Sequence, residues 1–153
     1  MKKLFYLLLT IVLIPQAYAQ LPFGVSVGGR VGTETKDGKS FVGGQAEVRV
    51  LQFIITPNVE YYLNAKNASR YDINFDGLYK VVGVGVAQIY AGGGYIISTV
   101  NPDAGKSKSF SGYNAQIGGR AGLGGITFFA LIKYMRIDGK GDQGMVAGVN
   151  FGF

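Results

Sequence analysis

Apolar and polar residues alternate along most of this chain. Between Phe41 and Val50, one face of an extended strand would carry Val42, Gly44, Ala46, Val48 and Val50. The other face would carry Phe41, Gly43, Gln45, Glu47 and Arg49. A period of two is the signature of a β-strand. The same alternation recurs in seven further segments: 23–34, 54–63, 70–81, 85–97, 110–121, 126–136 and 143–153. Each is close to the ~9–11 residues that a tilted strand needs to cross a hydrocarbon layer, and eight is an even number, as single-chain bacterial barrels require.

Alternation alone does not separate a half-buried soluble strand from a membrane strand. The first buries its apolar face in a core, and the second turns it toward lipid. The connections decide between them. Those after the first, third, fifth and seventh segments (35–39, 64–69, 99–109 and 138–142) are polar, whereas those after the second, fourth and sixth are short and apolar or glycine-rich. Loops on one side and tight turns on the other are the pattern of a barrel inserted from the periplasm. The reading is therefore an all-β, eight-stranded antiparallel up-and-down transmembrane β-barrel with both mature termini in the periplasm. Pro57 lacks a ladder donor, which predicts a bulge or a strand start there. Asp76-Gly77 predicts a second bulge inside the fourth strand.

The amino terminus is read apart from this fold. Lys2 and Lys3 precede an apolar run over 4–14, Pro15 breaks it, and Ala17-Tyr18-Ala19 has the small-x-small form of a cleavage site. Residues 1–19 are thus expected to be a cleaved signal peptide. The barrel domain is then 20–153, a mature chain of 134 residues and long enough for one domain. No later stretch approaches the ~18 apolar residues of a spanning helix, so any membrane crossing must use strands.

Composition narrows the chemistry. Without the two signal lysines, thirteen Lys and Arg face nine Asp and Glu, a net charge of +4. That charge is dispersed and forms no basic stripe, so nucleic acid is not an expected partner. The chain has no cysteine and no histidine. These absences exclude disulfide staples, thiol nucleophiles, His/Cys metal sites and His-based triads. Asp72 and Asp76 share a strand face but lie about 13–14 Å apart at ~3.3–3.4 Å per residue, too far for an acid–base pair. Neither an enzyme nor a cofactor is expected.

The last nine residues carry the most specific signal. Met145, Ala147, Val149, Phe151 and Phe153 are apolar at every second position, and the final residue is aromatic. With the eight segments, this resembles the small eight-stranded outer-membrane barrels of the OmpA/OmpX type over nearly all of 23–153. The resemblance implies that the barrel-assembly machinery reads this C-terminal strand, and that outer-membrane lipid surrounds the wall. Barrels of this kind serve as structural anchors, adhesins, narrow channels or lipid-modifying enzymes, so the likeness leaves the role open.

On this reading Arg30, Glu47, Arg49, Glu60, Asp72, Asp76, Arg120 and Lys133 point into the lumen. Charges in a water-poor interior must be paired, and eight strands leave just enough room for side chains. A charged plug is expected, with a gated ion path as the alternative. Lys36, Lys39, Lys66, Arg70, Lys106 and Lys108 are expected on the loops, facing lipopolysaccharide phosphates or another envelope protein. Tyr61, Tyr71, Tyr95, Tyr113, Phe128, Tyr134, Phe151 and Phe153 are expected to form interfacial girdles. The Gly-Gly-Arg repeats at 28–30 and 118–120 suggest small residues that make room for an inward arginine. Two apparent motifs carry nothing: Gly105-Lys106-Ser107 lacks the upstream glycine of a phosphate loop, and Asn67-Ala68-Ser69 is a sequon with little meaning in a bacterial barrel. The function expected is a non-enzymatic surface role, structural or interactive. A narrow pore is the second reading, and a secreted lipocalin-like ligand carrier the third.

Overall fold

The computed structural model describes residues 23–36, 38–63 and 68–153. The signal segment expected over 1–19 and the loop cation Lys66 lie outside these residues. Eight strands form in chain order: β1 Phe23–Glu34, β2 Ser40–Val50, β3 Phe53–Tyr62, β4 Ala68–Val84, β5 Ala87–Pro102, β6 Lys108–Leu123, β7 Ile126–Ile137 and β8 Lys140–Gly152. Each is antiparallel to its neighbour, and β1 pairs with β8 to close the barrel. Closure matters physically, because an open sheet edge would leave backbone N–H and C=O groups unpaired in lipid.

The barrel is strongly staggered. Following paired residues once around it, from Gly24 through Arg49, Ile54, Leu78, Gly92, Gln116, Lys133 and Gly144, leads back to β1 at Glu34, ten residues further on. Such a stagger obliges the strands to tilt against the barrel axis. It also brings residues distant in sequence to one height inside.

The faces are those of a membrane barrel and the reverse of a soluble carrier. Val31, Val42, Val59, Phe75, Tyr95, Ile117, Phe128 and Ile132 are exposed on the outer wall. Glu60, Asp72, Asn74 and Lys133 have 0 % exposure inside. A lipocalin-like carrier needs an apolar cavity and a hydrated wall, so this inversion removes that reading. Two small apolar clusters interrupt the polar interior: Phe41, Tyr62, Phe129 and Val146 in one, and Ile54, Leu78 and Tyr90 in the other.

Three expectations about the wall need correction. The sheet has no bulge at Pro57 or Gly77. Gln45 pairs Asn58 and Val48 pairs Ile55 in one uniform register across Pro57, so the missing donor interrupts the ladder without shifting it. Gly77 pairs Gly93 in step. The register instead shifts between Lys80 and Val82, where β4 runs beyond the body of the barrel and an extra residue is accommodated at its end. Secondly, β4, β5 and β6 have 17, 16 and 16 residues, so part of the expected 64–69 and 99–109 loops is sheet: Ser69 pairs Asn101, and Val100 pairs Lys108. Thirdly, the β7–β8 connection is a tight turn. Asp138 (φ 49°) and Gly139 (φ 75°) both occupy the left-handed region, the two-residue hairpin geometry that Asp-Gly favours. The turns opposite have two residues as well, with Leu51 (φ 56°), Gly85 (φ 59°), Gly124 (φ 55°) and Gly125 (φ 87°) left-handed. The loop side keeps three longer connections, at 35–39, 63–67 and 103–107.

Candidate functional site

Charged and amide side chains from all eight strands fill the interior in three tiers. Nearest the loops, Arg70 on β4 holds Asp72 through two parallel bonds, Nε to Oδ1 at 3.0 Å and Nη2 to Oδ2 at 2.7 Å. Its Nη1 lies 3.0 Å from Glu34 Oε1 on β1, and its Nε also donates to Ser98 Oγ at 3.0 Å. The guanidinium carbon stands 4.0 Å from the centre of the Tyr62 ring, whose hydroxyl donates to Glu34 Oε1 at 2.8 Å. The two-pronged bond and the aromatic face exploit the planar guanidinium in ways a lysine would not.

Arg70 was expected among the loop cations and belongs inside. β4 begins at Ala68, two residues before the expected start, so Arg70 shares the inward parity of Asp72, Asn74 and Asp76. Extending the even-numbered face by one pair would have found it. Glu34, on the polar face of β1, completes the cluster and was missed as a partner.

In the middle tier, Lys133 Nζ on β7 lies 3.3 Å from both oxygens of Glu60 on β3 and 3.1 Å from Asn74 Oδ1. Arg30 on β1 lies 3.2 Å from Glu60 and 3.9 Å from Asp76. Asp76 also accepts from Asn58 Nδ2 at 2.9 Å and from Asn114 Nδ2 at 2.7 Å. Asp72 and Asp76 therefore serve separate clusters.

In the turn-side tier, Arg120 on β6 grips Glu47 on β2 through both Nη atoms, with Nη1 at 3.1 Å from Oε2. Ser26 and Gln45 donate to the same carboxylate, at 3.3 and 3.2 Å. The rings of Tyr90 and Phe129 lie 5.4 and 5.5 Å from the Arg120 guanidinium. Arg49 lies beyond this tier, at the turn-side mouth. In the tiers themselves four cations (Arg30, Arg70, Arg120, Lys133) meet five carboxylates (Glu34, Glu47, Glu60, Asp72, Asp76), and each of the nine stands in an ion pair. A low-dielectric interior demands such pairing, since an isolated ion there costs several kcal/mol.

Glycines make the space for this packing, though differently from expected. A Cβ on Gly43 would fall 3.2 Å from Arg30 Cγ and collide with the Val59 carbonyl. One on Gly28 would collide with Asn150, and one on Gly118 with Leu131 and the Ala130 carbonyl. The first glycine of each Gly-Gly-Arg repeat thus accommodates a neighbour on an adjoining strand and not the arginine that follows, while at Gly29 and Gly119 a Cβ would meet nothing closer than 3.9 Å.

The remaining expected residues lie on the outside. Met145, Ala147, Val149, Phe151 and Phe153 follow one another along the outer face of β8, and the Phe153 N–H donates to Val25 O at 3.0 Å. Lys36, Lys106 and Lys108 are exposed at the loop side, where the Lys36 N–H donates to Asp142 Oδ1 at 3.1 Å, and Lys39 is half-buried beside them. Tyr61 and Tyr71 pair across β3 and β4 near the loops, while Phe128 and Phe151 lie near the turns.

No protein-family model and no curated protein sequence matches this chain. Its backbone does resemble solved structures. The N-terminal β-barrel domain of Pseudomonas aeruginosa OprF superposes with a TM-score of 0.73 at 15% identity, over 85% of this chain and 97% of that one. Neisserial surface protein A gives 0.69 at 15% identity, over 87% and 98%. Ail, the attachment invasion locus protein of Yersinia pestis, solved with the heparin analogue sucrose octasulfate, gives 0.54 at 10% identity, over 86% and 97%. Identities this low speak for architecture alone, and on that architecture the chain has the fold of the small eight-stranded outer-membrane β-barrels.

Proposed function

We propose that this protein is a non-enzymatic barrel of the bacterial outer membrane, closed by its own side chains, with a structural or interaction role at the cell surface. The observation that carries this is the interior. Two salt bridges, Glu60–Lys133 and Glu47–Arg120, cross between strands four places apart in a ring of eight, and amides fill the space between them. An eight-stranded interior is just wide enough to be filled this way. Export would use residues 1–19 as a cleaved signal, and the outer face of β8 would serve as the signal to the barrel-assembly machinery. The termini and tight turns would then face the periplasm. The cations Lys36, Lys39, Lys66, Lys106 and Lys108 would meet lipopolysaccharide phosphates or a partner envelope protein on the other side; Arg70 drops out of that set.

Planar-bilayer recording of the purified protein tests the closed interior. The expected result is stable insertion without discrete current steps. Reproducible steps in the unaltered protein would replace the plug with a pore. Lipopolysaccharide and partner binding that persist after the five loop lysines are replaced by glutamine would remove the loop part of the reading.

A further inference from the structure

The ion pairing of the interior is complete except at one mouth. Arg49, on the inward face of β2, has no ion-pair or hydrogen-bond partner among the described residues, and its Nε is shielded from solvent. It lines an open cavity of about 560 Å³ at the turn-side end of the barrel. Arg120 lines the same cavity, and no acidic side chain does, because Glu47 lies behind Arg120 in the tier above. The neutral polar groups on the wall are Ser26, Gln88 and Thr127. The cavity opens over a rim of strand-end residues, Phe23, Val25, Leu123, Ile126 and Phe153, which belong by parity to the outer, lipid-facing wall. Gly24, paired directly with Arg49 on β1, contributes no side chain; a Cβ there would lie 4.0 Å from Arg49 Cβ and meet nothing closer.

We infer that this vestibule is a binding site for a single-tailed amphiphile with an anionic headgroup, a carboxylate or a phosphate. A guanidinium without a partner, partly withdrawn from water, supplies a two-pronged site for either oxyanion. Arg120 adds positive potential from the floor, while its own bonds stay with Glu47. The tail passes over this rim onto the apolar outer wall, while the headgroup stays beside Arg49. A volume of this order falls within the range of small-ligand pockets. The site does not depend on which compartment the turns face.

Equilibrium dialysis of the purified full-length protein in a neutral maltoside detergent, with radiolabelled octanoate, tests this. The expected result is saturable uptake of one octanoate per barrel above that of empty micelles. Affinity should fall by about tenfold or more in Arg49→Gln, because a charge-assisted bond is lost, and recover in part in Arg49→Lys. Gly24→Leu, which fills the space and keeps the charge, should abolish uptake. Octanamide should not compete. Octyl phosphate competing more strongly than unlabelled octanoate assigns the site to a phosphate headgroup, and the reverse order to a carboxylate. Uptake no greater than in empty micelles overturns the inference, as does equal affinity in folded Arg49→Gln or equal competition by octanamide. Should Arg49→Gln not fold, as judged by heat-modifiable gel migration, undiminished uptake in folded Gly24→Leu overturns it instead.

Discussion

Lys133 and Glu60 meet across the diameter of the barrel: the Nζ of one lies 3.3 Å from both carboxylate oxygens of the other, and both side chains are essentially inaccessible to water. They come from β7 and β3, four strands apart in either direction. Glu47 and Arg120 repeat the relation between β2 and β6, one strand further round. Each pair ties opposite walls together.

Glu60 balances both Lys133 and Arg30, so its loss strands two buried cations. Glu60→Gln should destabilise the barrel by about 3–5 kcal/mol, the cost of breaking a buried pair from one side. The double variant Glu60→Gln/Lys133→Met should recover part of it. Urea titration of the folded band by heat-modifiable migration reads both. A single variant as stable as the parent would show that water reaches this tier.

Opening the plug should open the pore. Replacing Glu47, Glu60, Arg120 and Lys133 together by alanine removes both diametric bridges. The variant is expected to give discrete conductance steps in planar bilayers, provided its folded band persists. A folded variant that stays silent would assign closure to the amides Asn58, Asn74 and Asn114 instead.

Tyr62 contributes to the loop-side tier in two separable ways, through its ring beneath Arg70 and its hydroxyl on Glu34. Tyr62→Phe keeps the ring and should cost about 1 kcal/mol. Tyr62→Leu loses the cation–π contact too, and should cost about 1–2 kcal/mol more. Equal urea midpoints for the two variants would mean that the ring contact contributes nothing.

The lipid-facing wall is tested at Ile117 and Ile132, which pair on the outer face of β6 and β7. Ile132→Arg should cost about 2–4 kcal/mol in lipid bilayers, the penalty for a cation near the midplane. On a water-facing wall the same change would stay within about 0.5 kcal/mol. Refolding into vesicles under urea distinguishes them.

Glycine packing gives an internal contrast. A Cβ on Gly94 would collide with Asp76 Oδ1 and the Phe75 carbonyl, whereas on Gly44 the nearest atom would be 3.9 Å away. Gly94→Ala should therefore destabilise by about 1–3 kcal/mol, and Gly44→Ala should be close to neutral. Equal midpoints for the two would contradict the close approach at Gly94.

The strands, their number and the direction of each side chain are written in the sequence, because a period of exactly two leaves only two faces to assign. That is why Arg30, Glu47, Glu60, Asp72, Asp76, Arg120 and Lys133 could be assigned to the interior, and Met145, Ala147, Val149, Phe151 and Phe153 to the outer wall. Even Arg70, expected on a loop, obeys that parity two positions before Asp72. The tight Asp138-Gly139 turn was expected as a loop over 138–142, because the polar residues after it resemble a loop although they pair within β8. What the tertiary structure decided is partnership. Parity states that a charge points inward but not how far along the axis it stands. Closure with a ten-residue stagger sets those heights. It brings Glu60 to Lys133 and Glu47 to Arg120, and it leaves Arg49 unpaired at an open mouth that no carboxylate lines.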